Sequence, residues 1–114
     1  MTRPISILAG ALAVFAFTSF PAVSSAADFE AAVVIKNHRF DPAEVHVPAG
    51  RKIKLRVHNQ DSTPEEFESH ALRREKVIAG GAKATIRLGP LKPGRYPFVG
   101  EFNEATARGV VIAK

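Results

Sequence analysis

The sequence predicts an all-β protein folded as a two-sheet antiparallel sandwich, and three observations carry that expectation. Apolar residues recur at every second position along most of the chain. Turn-forming residues interrupt these runs at short, regular intervals. No stretch of ten residues shows a helical period. Successive side chains of a strand point to opposite faces, so strict alternation is what a strand with one buried face requires. Many short strands with frequent turns in a small chain point to a sandwich.

The chain begins with a segment outside that pattern. Arg3 supplies a positive start, residues 5–20 form an apolar run, and Ser24, Ser25, Ala26 and Ala27 offer small residues for processing. This reads as a secretory signal peptide over residues 1–27, cleaved after Ala26 or Ala27. The run is too short and too soon followed by small residues for a membrane anchor. The expected mature form, 28–114, is then a single small domain of the periplasm that does not span the membrane.

Within 28–114 the first strand is the apolar run Ala31 to Ile35, which reads as deeply buried. Val45 and Val47 alternate with Glu44 and His46. Ile53, Leu55 and Val57 alternate with Lys52, Lys54, Arg56 and His58, and Ala84, Ile86 and Leu88 with Lys83, Thr85 and Arg87. Tyr96 to Val99 is short and aromatic, and Val110 to Ala113 is a final apolar strand. Asp41-Pro42, Pro48-Ala49-Gly50, Gly80-Gly81, Gly89-Pro90 and Pro93-Gly94 separate these runs. Proline presets φ at the first turn position, and glycine accepts a positive φ at the second. Seven or so strands result.

Composition removes several chemistries. There is no cysteine, and the sole methionine is Met1. Disulfides, thiol redox chemistry and thiolate or thioether metal ligation are therefore excluded from the mature domain. From Asp28 onward fifteen Lys and Arg face eleven Asp and Glu, the sixteenth basic residue being Arg3. The basic side chains alternate with apolar ones along strands and form no compact run, which describes a solvated sheet face and not a nucleic-acid surface. No Ser-His-Asp arrangement, nucleophile motif or phosphate-cradling glycine loop is visible, so a hydrolase has no support.

The stretch 59–75 departs from the strand rhythm. Glu65, Glu66 and Glu68 fall within four residues and are followed by His70. If 66–70 is extended, Glu66, Glu68 and His70 share one face while Phe67 points to the core. Two carboxylates and an imidazole on one face could hold a divalent or trivalent cation through O and N donors. The competing reading is a solvated acidic bulge balanced by Arg73, Arg74 and Lys76. His46 and His58 belong to a solvent-facing sheet surface, and His38 reads as a strand-end surface or capping residue.

Phe40-Asp41-Pro42, Val47-Pro48-Ala49-Gly50, Val57-His58-Asn59, Glu65-Glu66-Phe67-Glu68-Ser69, Arg74-Glu75-Lys76, Leu91-Lys92-Pro93-Gly94-Arg95-Tyr96 and Gly109-Val110-Val111 stand in a distinctive order and spacing. Together they resemble the EfeO-type cupredoxin-like domain, across about residues 31–114. The resemblance implies a cupredoxin-like antiparallel Greek-key β-sandwich. It also implies a role beside a periplasmic metal-binding partner and an inner-membrane iron permease. Carried over by position, it places the first copper-ligand slot on Glu65 and Glu66, the blue-copper cysteine on Gly100, and a later histidine on Asn103. Relatives of the iron-uptake kind often show Phe-His after an acidic residue, where this chain has Glu101-Phe102-Asn103.

A type 1 copper centre needs a thiolate, and none is available. The expectation is therefore a copper or iron ion held at modest affinity by Glu66, Glu68 and Glu101, with His70 and Asn103 beside them and His38 as a further candidate. The function expected is iron or copper handling by transient metal binding or partner docking, not enzymatic turnover. A metal-free interaction module of the cell envelope is the alternative. A ferroxidase ranks below both, because Gly100 and Asn103 replace the donors a redox copper would need.

Overall fold

A computed structural model describes residues 2, 4, 10, 11, 13–16 and 27–114. Two thirds of the expected secretory leader, 1–27, including Ala26 at its cleavage point, lie outside the described residues. No helix of the described residues is long and apolar enough to cross a membrane.

Nine strands follow one another: β1 (Phe29–Lys36), β2 (Arg39–Asp41), β3 (Glu44–Val47), β4 (Ile53–Asn59), β5 (Glu65–Ser69), β6 (Arg74–Ile78), β7 (Lys83–Leu88), β8 (Gly94–Gly100) and β9 (Arg108–Ala113). A single 3₁₀ turn, Glu101–Asn103, follows β8. The strands form two sheets, ordered β2-β1-β4-β7 and β3-β9-β8-β5-β6. The sandwich is as expected, but it is mixed and not wholly antiparallel: β1 runs parallel to β4, and β3 parallel to β9. The chain between β1 and β4 leaves the sheet through β3 and returns, so the two strands enter in the same direction.

The period-two residues pack where alternation places them. Val33 and Ile35 of β1, Ile53, Leu55 and Val57 of β4, and Ile86 and Leu88 of β7 are buried. In the antiparallel β4–β7 ladder Leu55 faces Ile86 and Ile53 faces Leu88. β1 alternates instead of being buried on both faces, because Ala32 and Val34 look out from the first sheet. β9 ends in Val111, Ile112 and Ala113, all buried, as its apolar run foretells. Phe40, Phe67 and Phe98 close the centre of the core. Phe67 stacks on Phe98 at 4.9 Å between ring centroids, and Phe40 meets Phe98 edge-on at 4.8 Å. Truncating either buried ring to alanine should cost roughly 3–5 kcal/mol.

Two polar side chains fix the loops at the end of the sandwich where β5 begins. Asn59 is fully buried, and its amide nitrogen donates to the carbonyls of Thr63, Ile78 and Ala79 at 2.8, 3.1 and 3.3 Å. Its carbonyl accepts the Asp61 N–H at 3.0 Å. Asp61 in turn accepts the N–H groups of Asn37 and His38 at 2.8 and 2.9 Å. Both of these residues have positive φ, 53° and 55°, in the two-residue turn between β1 and β2. A positive-φ pair matches the twist of a tight hairpin, and Asn and His tolerate it better than most residues. His38 is thus a turn residue, as the capping reading anticipates. The N–H of His38 is the main reason the Asp61 carboxyl titrates below its usual range.

Candidate metal-binding site

The site grows from the alternation of β5. Glu65, Phe67 and Ser69 point inward and are buried, while Glu66 and Glu68 face outward. β5 lies between β6 and β8, and its register sets Glu68 opposite Glu75 of β6 and opposite Val99 of β8. β8 ends at Gly100, and the 3₁₀ turn that follows carries Glu101 over the same outer face. Carboxylate oxygens of Glu66, Glu75 and Glu101 lie within 4.8 Å of one another. Three such groups at that separation match the reach of a small hard cation with oxygen ligands.

The electrostatics reflect crowding without a counter-charge. The Glu66 carboxyl is pushed up to about 7, first by a hydrogen bond with the Glu75 carboxyl, then by partial burial and by Glu101. Glu68 is also raised, chiefly by Glu101, with His70 opposing the shift. Carboxylates this close cannot all ionise cheaply, so they share protons. Among the described residues no Lys or Arg forms an ion pair with any of the four; the one basic side chain within ion-pair distance is His70, whose Nε2 lies 3.6 Å from Glu68 Oε1. Arg74, expected as a balancing charge, donates to the backbone carbonyls of Leu72, Arg73 and Arg87 instead.

The structure brings together Glu66 and Glu101, with Glu68 alongside. His70 lies one residue beyond β5 with its side chain 97% exposed. Asn103 turns inward and donates its amide to Glu65 Oε2 at 2.7 Å. His38 is on the β1–β2 turn beside Asp61. Glu75 is not among the expected site residues, because Arg74 and Lys76 on either side of it read as charges balancing the acidic stretch. The signal was the β5–β6 hairpin register, which needs the turn at 70–73 to be known.

Inside the same end of the sandwich sits another carboxylate with a different environment. Glu65 is 1% exposed. Its Oε1 accepts the N–H of Phe102 and the N–H of Glu66, both at 2.9 Å, and its Oε2 accepts the Asn103 amide. Gly100 makes room for it: a Cβ on Gly100 would lie 2.6 Å from Glu65 Cδ and 2.6 Å from Ala107 Cβ. The following loop is tied down by the Ala107 N–H to the Asn103 carbonyl at 2.8 Å and by the Thr106 hydroxyl to the His38 carbonyl at 2.6 Å.

The family profile of the cupredoxin-like domain matches residues 8–113. The chain belongs to the cupredoxin-like family. It is 48% identical over 83 residues to an uncharacterized protein of Rickettsia prowazekii, a match covering 73% of this chain and 66% of that protein. The chain therefore spans just under two thirds of that relative. The fold superposes on the metal-binding domain of a Cu(I)-exporting P-type ATPase of Streptococcus pneumoniae, solved with Cu(I), with TM-score 0.67, 15% identity and coverage of 75% and 84%. It also superposes on auracyanin A, a blue copper protein of Chloroflexus aurantiacus, with TM-score 0.66, 11% identity and coverage of 77% and 100%. A purple cupredoxin of Nitrosopumilus maritimus gives TM-score 0.58, 17% identity and coverage of 74% and 99%. At these identities the likeness is one of fold.

A type 1 copper ion does not fit the residues present. The chain has no cysteine, and its only methionine is Met1. Gly100, aligned by resemblance with the copper cysteine, has no room for a larger side chain while Glu65 stands against it. Both Glu65 oxygens already accept N–H donors, so the interior position is filled by protein. The outer carboxylates form the donor set compatible with a cation, one of hard oxygen ligands.

Proposed function

We propose that this cupredoxin-like protein is exported to the periplasm and assists iron or copper handling by binding a metal ion transiently at Glu66, Glu75 and Glu101, with Glu68 adjoining. The supporting observation is the convergence of three outer-face carboxylates, without a Lys or Arg ion pair among the described residues. An oxygen-only set suits Fe(III), Mn(II) or Cu(II), and is a poor match for the Cu(I) held by the ATPase domain of similar fold, which prefers soft sulfur donors. The role we propose is binding and delivery, since the carboxylate set lacks the thiolate of a type 1 electron-transfer copper. The EfeO-type resemblance supplies the proposed partners, a periplasmic metal-binding protein and an inner-membrane iron permease. Phe102 and Val77, 51% and 55% exposed beside the carboxylates, favour docking on this same face.

The test is a thermal melt of residues 28–114 with and without Fe(III), Mn(II) and Cu(II). A cation at about 100 times its Kd stabilises by about 2.7 kcal/mol, a rise on the order of 10 °C for a domain of this size. Glu66→Gln, Glu75→Gln and Glu101→Gln should each abolish most of the rise, whereas Glu44→Gln, on the distant β3, should leave it intact. A rise absent in the wild type, or surviving all three substitutions, refutes the assignment.

A further inference from the structure

We propose that Glu65 is the positioning residue of the outer carboxylate site: its buried carboxylate fills the interior of the sandwich end and clamps together the two backbone segments that carry Glu66 and Glu101. The inference deepens the metal-handling reading and rests on it for its ligand. The geometry lies in the identity of the donors. One Glu65 oxygen accepts the N–H of Glu66 itself and the N–H of Phe102, the residue after Glu101. The other accepts the side chain of Asn103, two residues after Glu101. A single acceptor group therefore joins the start of β5 to the 3₁₀ turn, and each joined segment contributes one carboxylate to the outer face.

The alternatives for holding that turn are few. Among the described residues the 3₁₀ turn has no side-chain cap of its own, and none of its residues is buried. Its downstream anchors are the backbone bonds from Thr106 and Ala107 to the Asn103 carbonyl. Among the described residues only Glu65 hydrogen-bonds Phe102 and Asn103 to β5. One buried side chain that accepts three N–H donors cross-links the segments that carry them, and such a network holds more than its separate bonds would. Gly100 belongs to the same device, because a side chain there would drive Glu65 out. One group thus accounts for two properties: the inside of the fold is closed to a ligand, and the outside acquires a defined one.

A merely structural Glu65 would lower the melting temperature without altering the site, so the experiment separates the two. The chain has no cysteine, so nitroxide labels on Glu66→Cys and Glu101→Cys report the spacing of the two segments without any metal. In the Glu65 parent the distance distribution should be narrow. Glu65→Met removes the acceptor of all three donors at similar volume, and the distribution should broaden. Glu65→Gln keeps one acceptor oxygen, and its amide donates to the Asn103 side-chain oxygen once that amide turns over, so the distribution should stay narrow. Asn103→Ala, which leaves Glu65 in place, gives a smaller broadening and serves if Glu65→Met does not fold.

In the unlabelled protein, Fe(III) or Mn(II) affinity measured well below the melt should fall about tenfold in Glu65→Met, the loss expected for about one net hydrogen bond, and hold in Glu65→Gln. Unchanged label distances in folded Glu65→Met or in Asn103→Ala would overturn the proposal. A wild type that binds no metal would remove the metal-handling reading while the label distances still decide the clamp.

Discussion

Glu65 and Glu66 are identical side chains on adjacent residues of β5, and they live in opposite chemistries. Glu65 is buried, with both oxygens met by N–H donors from Glu66, Phe102 and Asn103. Glu66 faces outward into two other carboxyls, and its own is raised to about 7. The pleat of the strand sends them to opposite faces, and what each face holds does the rest. A carboxylate with enough donors is a structural element even inside a core, whereas one among its own kind is a strained surface group. Only the outward-facing one has something to gain from a cation.

The largest effect should come from breaking the inner half of this pair. Glu65→Ala leaves the Phe102 and Glu66 N–H groups and the Asn103 amide without their acceptor and opens a cavity. With about 1–3 kcal/mol for each unsatisfied buried group, partly relieved by water, the loss should be roughly 3 kcal/mol. Glu66→Gln, one residue away, should leave stability near neutral pH unchanged or improve it. Urea unfolding of both variants decides the comparison, and equal losses would show that facing in or out does not matter.

A smaller effect should follow from Gly100. Gly100→Ala introduces a Cβ into contact with Glu65 and Ala107 and should cost roughly 1–3 kcal/mol by overpacking. The informative quantity is the coupling. If the strain arises from Glu65, then Glu65→Ala and Gly100→Ala together should cost less than the sum of the two, by at least about 0.5 kcal/mol. Strict additivity would place the crowding on Ala107 alone.

How much of this the sequence reveals depends on which signal each feature leaves. The sandwich was legible because Ile53, Leu55, Val57, Ala84, Ile86 and Leu88 repeat at period two, and the same rule correctly turned Glu66 and Glu68 outward with Phe67 inward. The parallel pairings were not legible, since alternation is blind to strand direction. Glu65 defeats pattern reading for a physical reason: on an apolar face a glutamate looks like an error until its three donors are known, and two of them come from 37 and 38 residues away. Glu75 was hidden by its basic neighbours, and its place depends on a hairpin register set by a turn in which Arg73 takes a positive φ of 54°. His70 satisfied the face rule on paper, but the strand ends at Ser69, whose hydroxyl accepts the Leu72 N–H and starts the turn.

The smallest effect expected is a pH dependence, and its sign follows from the outer half of the pair. Below its ordinary value of 4.5 the Glu66 carboxyl is protonated whether the chain is folded or not. Between 4.5 and about 7 the folded protein retains a proton that the unfolded chain has released. Stability falls with rising pH wherever the native state binds the extra proton, so this group destabilises the fold progressively across that window and by a constant amount above it. Glu68 shifts in the same direction. Asp61, lowered by the N–H groups of the β1–β2 turn, has the opposite sign, but its contribution is lost only below its ordinary value of 3.8. Urea midpoints of the cation-free protein should therefore decline between about pH 4.5 and about pH 7 and level off above it. Glu66→Gln should flatten that decline, because glutamine resembles the protonated acid and cannot release the proton. A wild-type midpoint that rises over this range, or a decline of the same size in Glu66→Gln, would mean that the crowding does not fall on Glu66.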